Sequence, residues 1–276
     1  MPETVFIDAI YSLISGFTAF FGVDASAHQR LFSLLTGGVA SDSGVNMAVR
    51  FGTLVALLIC CGPHLRRLLR ERSHSIRSHR LKRQADPIAQ LDLKLVRTAM
   101  LPVLAGVFLY STGSRWIAGF LPLALTLLLN SFILFLPRVI NSGNKDGRSV
   151  SPLDGLLLGC GSVLGAFPGF SRVGCMMTSA AIGGLDRAYA MEMSLLLSIP
   201  VLAGLLVFDL FALLAGQIAL SLVTLILYLV YAAMALLGSW LTIILMRYLA
   251  QKIGFTGFAY YSLGLALFSF IFYLVI

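Results

Sequence analysis

The chain has 276 residues, 58% of them hydrophobic and only 12% charged, with a formal net charge of +8. Too little of it is polar for a soluble globular domain, so the composition reads as a polytopic membrane protein. Residues 1–21 carry Glu3 and Asp8 but no Lys or Arg, and so do not read as a cleaved signal peptide.

In chain order, residues 5–21 and 28–40 are two apolar pieces separated by Gly22-Val23-Asp24-Ala25-Ser26-Ala27. Neither reaches the about 20 residues that cross a bilayer core, so the expectation is a re-entrant helical hairpin over 5–40. A first full span follows at 45–62, with Arg50 inside it. Next comes a basic loop, 64–89, holding Arg66, Arg67, Arg70, Arg72, Arg77, Arg80, Lys82 and Arg83 against Glu71 and Asp86. The positive-inside rule makes it cytoplasmic. Such a run can contact nucleic acid, but beside a membrane span it meets anionic lipid without any other partner, so no nucleic-acid role is expected.

Spans two and three are expected at 94–112 and 116–137, joined by a turn at Thr112-Gly113-Ser114-Arg115. The loop 138–151, with Arg138, Lys145 and Arg148, is again cytoplasmic. Residues 152–167 and 173–185 form a second short pair, predicted as a re-entrant hairpin over 152–185. Spans four to six fall at 190–214, 218–246 and 255–276. Counting sides, the first hairpin enters from outside and the second from the cytoplasm. The expected architecture is therefore all-α: six transmembrane helices plus two re-entrant hairpins in one membrane domain. Its halves, 1–137 and 138–276, form an inverted-topology repeat. A faint echo, Phe20-Phe21-Gly22-Val23-Asp24 against Phe167-Pro168-Gly169-Phe170-Ser171, supports the repeat and predicts that the two tips meet.

The second break carries the chemistry. Gly161 to Gly174 reads GSVLGAFPGFSRVG, an apolar run that Pro168-Gly169 must interrupt. Broken backbone at membrane depth survives only where it lines protein or a water-filled cavity, and an Arg there marks a functional site. The N–H groups at a new helix start, together with the Arg172 guanidinium, make a receptor for phosphate. Ser171 is either a nucleophile or the N-cap of the next helix, and Asp24 either caps the helix after it or orients His28, four residues on. Arg50 either meets a ligand or pairs with Glu192 or Asp209. The four cysteines, Cys60, Cys61, Cys160 and Cys175, show no metal-ligand spacing and read as buried thiols.

The whole chain resembles the undecaprenyl-pyrophosphate phosphatase family, the membrane proteins linked to bacitracin resistance. The family's first tip motif, E-G-x-T-E-F-L-P-V-S-S-T-G-H, is matched by residues 15–28, SGFTAFFGVDASAH, and the second, P-G-x-S-R-S-G-x-T, by residues 168–176, PGFSRVGCM. The segment Arg187-Ala188-Tyr189-Ala190-Met191-Glu192-Met193-Ser194 with Ile199-Pro200 is also similar. The resemblance implies six spans with two re-entrant hairpins, often a homodimer, in the bacterial plasma membrane. It implies undecaprenyl pyrophosphate as substrate and Mg or Ca as cofactor. His28, Ser171 and Arg172, which stand at positions the motifs keep, are expected to be catalytic together with Asp24 from the residue reading above, and Arg172, Gly169, Arg50 and Ser26 are expected around the phosphate.

The departures fall on that chemistry. Ser15 and Ala19 stand where the motif has Glu, Asp24 and Ala25 replace two polar positions, Val173 and Met176 replace Ser and Thr, and Arg50 replaces a Gln. Losing two carboxylates removes metal ligands and a base, while Arg50 adds positive charge. The expected function is hydrolysis of undecaprenyl diphosphate to the monophosphate by a member with weakened machinery. The other reading is a non-catalytic polyprenyl-phosphate binding protein or flippase.

Overall fold

The computed structural model describes residues 2–35, 43–81, 87–116, 119–140, 143–218, 221–252 and 256–275. Within them lie ten helices: α1 (Pro2–Thr18), α2 (Ala25–Leu35), α3 (Ser43–Leu81), α4 (Pro87–Trp116), α5 (Phe120–Val139), α6 (Pro152–Leu164), α7 (Arg172–Ile182), α8 (Arg187–Leu214), α9 (Leu222–Lys252) and α10 (Thr256–Val275). The last residues of the expected piece 28–40 fall outside the described residues. Six helices are long and apolar enough to cross a membrane: α3, α4, α5, α8, α9 and α10. The protein is an all-α, multi-pass integral membrane protein. At 1.5 Å per residue, α1 is about 26 Å long and α2, α6 and α7 are about 17–20 Å, all short of a hydrocarbon core about 30 Å thick.

Three expected boundaries move. Residues 64–81 are not loop: α3 continues through the basic run to Leu81, because Leu and Arg are good helix formers and Pro63 is absorbed inside the helix. The turn expected at residues 112–115 is instead helical, since α4 runs to Trp116 and the chain reverses at Gly119, where φ is 89°. Cys160 is exposed rather than buried, while Cys61 and Cys175 are buried as expected; all four cysteines are free thiols.

The short helices pack by exchange between halves. Helix α1 lies along α9, and α6 lies along α4. Small residues allow both approaches: a Cβ on Gly16 would sit 2.2 Å from the Ala235 carbonyl oxygen, and one on Gly155 would sit 2.5 Å from that of Leu95. Helix α9 also donates to carbonyls at the end of α1. Ser239 Oγ donates to the Gly16 oxygen at 3.0 Å and Thr242 Oγ1 to that of Phe17 at 2.5 Å. At the start of α6, Ser151 and Asp154 form a reciprocal capping box, and Asp186 caps α8 through the N–H groups of Ala188 and Tyr189.

Helices α5 and α10 pair closely and hold a buried polar chain. Asn130 Nδ2 donates to Ser262 Oγ at 3.1 Å, and Ser262 Oγ donates to the Leu127 carbonyl at 2.8 Å. The other end of Asn130 accepts from the Ser171 N–H at 2.9 Å, fixing the start of α7. Asn130 is fully buried, so its loss leaves the Ser171 N–H without a partner. Asn130→Ala is expected to destabilise the protein by about 1–3 kcal/mol, read as a lower unfolding midpoint in detergent.

Candidate functional site

Residues 19–24 join α1 to α2, and residues 165–171 join α6 to α7. The second connection turns on Gly169, whose φ of 98° is strained for any side chain and whose Cβ would sit 2.1 Å from Thr126 Oγ1. The two connections meet. The Gly169 N–H donates to Asp24 Oδ2 at 3.0 Å, and Ser171 Oγ donates to the Phe21 carbonyl at 3.0 Å. Ser171 Oγ also accepts from the Gly174 N–H at 3.0 Å, as the N-cap of α7. The hydroxyl is thus engaged as donor and as acceptor, and of its two readings the geometry displays the cap.

Between the tips lies a cavity of ≈ 80 Å³, several times the ~15 Å³ that one water needs. Arg172, Arg50, Asp24, Ser26 and Ser171 all line it, so five of the expected site residues come together. Gly169 contributes through the turn, its N–H held by Asp24. Asp24 is the one carboxylate among the described lining residues, and its Oδ2 also accepts from the Ser26 hydroxyl. Among the described residues, no carboxylate forms an ion pair with Arg172. A half-buried guanidinium on a cavity wall, with no paired carboxylate among the described residues, can receive an anion from outside.

Arg50 is differently placed. Its Nη1 lies 2.5 Å from Asp209 Oδ1 on α8, and its guanidinium carbon lies 5.5 Å from the centre of the Tyr110 ring. Of the two partners weighed from sequence, Asp209 is the one it takes; Glu192 is bound instead by Arg247 Nη2 at 2.8 Å. Two guanidinium groups therefore face two carboxylates, and the excess of positive charge expected from the sequence is offset by Asp209. An incoming anion must share Arg50 with that carboxylate.

His28 does not line this cavity. Its Nδ1 donates to the Asp24 carbonyl at 2.9 Å, which leaves Nε2 to accept from the Tyr261 hydroxyl at 3.0 Å. His28 lines a neighbouring, mostly apolar cavity instead, with Phe21 between the two. Asp24 thus meets His28 through its backbone, and its carboxylate serves the other tip.

Sequence reasoning missed Tyr110, Asn46 and Gln29 on the cavity wall. Gln29 Nε2 donates to Ser15 Oγ at 3.0 Å, so the residue standing at the first motif Glu is tied into the polar lining. Asn130, which anchors α7, was signalled by its place in the run Leu127-Leu128-Leu129-Asn130-Ser131, where a lone amide among leucines needs a partner.

The donors do not fit a divalent cation. Magnesium and calcium take several oxygen ligands with carboxylates among them. Here the lining offers one carboxylate, with an oxygen already accepting two hydrogen bonds, and among the described residues no three His, Cys, Asp or Glu side chains group to hold a metal.

The sequence model of the bacitracin resistance protein BacA matches residues 8–268. Relatives named undecaprenyl-diphosphatase are similar along much of the chain. One from Methanobrevibacter smithii is 31% identical over 208 residues, covering 73% of this chain and 74% of its own. One from Ruegeria pomeroyi is 29% identical over 268 residues, covering 94% of each. One from Carboxydothermus hydrogenoformans is 26% identical over 252 residues, covering 91% of each.

Because Asp209 competes with an entering anion for Arg50, Asp209→Asn is expected to tighten binding of inorganic diphosphate by about tenfold, or about 1.4 kcal/mol, in calorimetric titration. Arg50→Ala is expected to weaken it.

Proposed function

We propose, for a chain that belongs to the BacA bacitracin resistance family, that it binds undecaprenyl diphosphate by its headgroup between the two tips and hydrolyses it to undecaprenyl phosphate and phosphate. The observation that carries the reading is Arg172, a cation on the cavity wall with no paired carboxylate among the described residues. The names of the relatives support the substrate and the reaction. We read the two short helix pairs as re-entrant hairpins of an inverted repeat in the bacterial plasma membrane. The exchange of α1 onto α9 and α6 onto α4 supports that reading.

Phosphoryl transfer asks for little covalent help from a protein; it needs the nucleophile aligned and the charge on the transferring oxygens stabilised. Arg172 and Arg50 supply the second, as forked donors to phosphate oxygens. Asp24 supplies the base. It already accepts a hydrogen bond from the Ser26 hydroxyl, so it can take a proton from a water held beside that hydroxyl as the water oxygen attacks the terminal phosphorus and becomes part of the released phosphate. The bond to the bridging oxygen then breaks, and undecaprenyl phosphate leaves with that oxygen. The Gly169 N–H and the carboxylate hold each other, which fixes the base relative to the second tip.

The second reading, a polyprenyl-phosphate binding protein or flippase without hydrolysis, is favoured by one specific arrangement. The motif glutamates are Ser15 and Ala19, and His28 faces another cavity. Phosphate release from labelled undecaprenyl diphosphate by the purified protein separates the two. Hydrolysis that falls about 100-fold or more in Asp24→Asn and in Arg172→Ala, with lipid binding kept only in the first, is the expected outcome. Tight lipid binding with no phosphate released selects the second reading, and no binding of any polyprenyl phosphate removes both.

A further inference from the structure

Beside the charged cavity lies a larger one of ≈ 550 Å³, walled by Ile14, Phe17, Phe21, Leu249, Phe258 and Tyr261. Its polar features are few: the Thr18 hydroxyl is turned back to the Ile14 carbonyl at 2.8 Å, and His28 and Tyr261 bond one another. Ile14 and Tyr261 are 44% exposed, so this wall opens toward the surrounding apolar phase rather than being sealed. Phe21 belongs to both cavities. Its carbonyl is held by Ser171, and its ring stands edge-on to Phe258, centroids 4.7 Å apart, and edge-on to Tyr261 at 6.1 Å.

Two cavities of opposite character that share a single side chain suit a ligand that is itself divided. We infer that the apolar cavity takes the first isoprene units of the lipid whose phosphate meets Arg172, and that Phe21 is the partition marking where headgroup ends and chain begins. This rests on the phosphate-binding reading of the charged cavity, and it assigns a second site with its own ligand class, a branched unsaturated hydrocarbon. The occupant follows from continuity and from chemistry. The aromatic wall of Phe17, Phe21 and Phe258 gives face and edge contacts to flat isoprene units. The opening past Ile14 and Tyr261 lets a chain longer than the cavity continue into the bilayer. Phe21 is pinned at its backbone, which fixes the distance between the two compartments and so the position along the lipid at which polarity must change.

The test uses the full-length protein in nanodiscs and two probes, inorganic diphosphate and farnesyl phosphate. Gly257 lines the apolar cavity and a Cβ built on it meets nothing within 4 Å, so Gly257→Phe can fill that space without moving backbone. The expected result is an affinity for farnesyl phosphate lowered by about tenfold, with inorganic diphosphate unchanged, the second also reporting an intact fold. On the wild-type protein, a farnesyl phosphate carrying a diazirine on its first isoprene unit is expected to label residues 14–21 and 257–261. Unchanged farnesyl phosphate affinity in Gly257→Phe, or labelling confined to other helices, overturns the inference and leaves the headgroup site standing. If Gly257→Phe loses both probes, the photolabel on wild-type protein decides. If wild-type protein binds neither probe, the phosphate reading falls and this inference with it.

Discussion

A helix that stops within an apolar protein leaves amide and carbonyl groups that have no water to turn to, and each one left open costs stability. The structure depends on how the two broken tips meet that demand, which is by bonding to one another. The Gly169 N–H is satisfied by a carboxylate from the first tip, and the Phe21 carbonyl by a hydroxyl from the second. Neither tip has this arrangement alone. The pairing also creates the cavity, because the side chains that follow each turn, Ser26 on one side and Arg172 on the other, are carried to its walls.

The rest of the fold reads as support for that meeting. Ser239 and Thr242 on α9 receive the end of α1, and Asn130 on α5 receives the beginning of α7. Each anchor is a polar group buried in an otherwise apolar helix, where its partner is fixed by packing. Helix α10 backs the arrangement through Ser262. The charges follow the same logic: both Arg50 and Arg172 line the cavity, Arg50 held by Asp209 across α3 and α8 and Arg172 with no paired carboxylate among the described residues.

The site differs from the motif it resembles in a coherent way. Where two glutamates stand in the motif, the chain has Ser15, tied to Gln29, and Ala19. Asp24 arrives at a position where the motif has a hydroxyl, and next to it Ser26 supplies one. A carboxylate is thus present, but five residues after Ala19, at the far end of the connection between α1 and α2. In the proposed reaction the roles are separate: anion binding is assigned to the two arginines, and proton transfer to Asp24.

Much of the architecture was legible in the sequence, because hydropathy and helix breaking are local properties. Six apolar runs of spanning length, two pairs too short to span, and the break at Pro168-Gly169 all follow from which residues stand next to which. That Arg172 would line a cavity was legible for the same reason, since a guanidinium is too costly to hold in such a run against lipid. Where α3 ends was not, because Leu and Arg continue a helix as readily as they line a loop. Nor were the partners. Whether Arg50 met Asp209 or Glu192, whether the Asp24 carboxylate reached its own helix or the far tip, and whether His28 faced Arg172 or Tyr261 are choices between groups up to 233 residues apart. Those choices are made by the packing of α1 on α9 and of α5 on α10, which brings distant segments within hydrogen-bond reach; only the tertiary structure decides them, because a hydrogen bond depends on separation in space and carries no trace of separation along the chain.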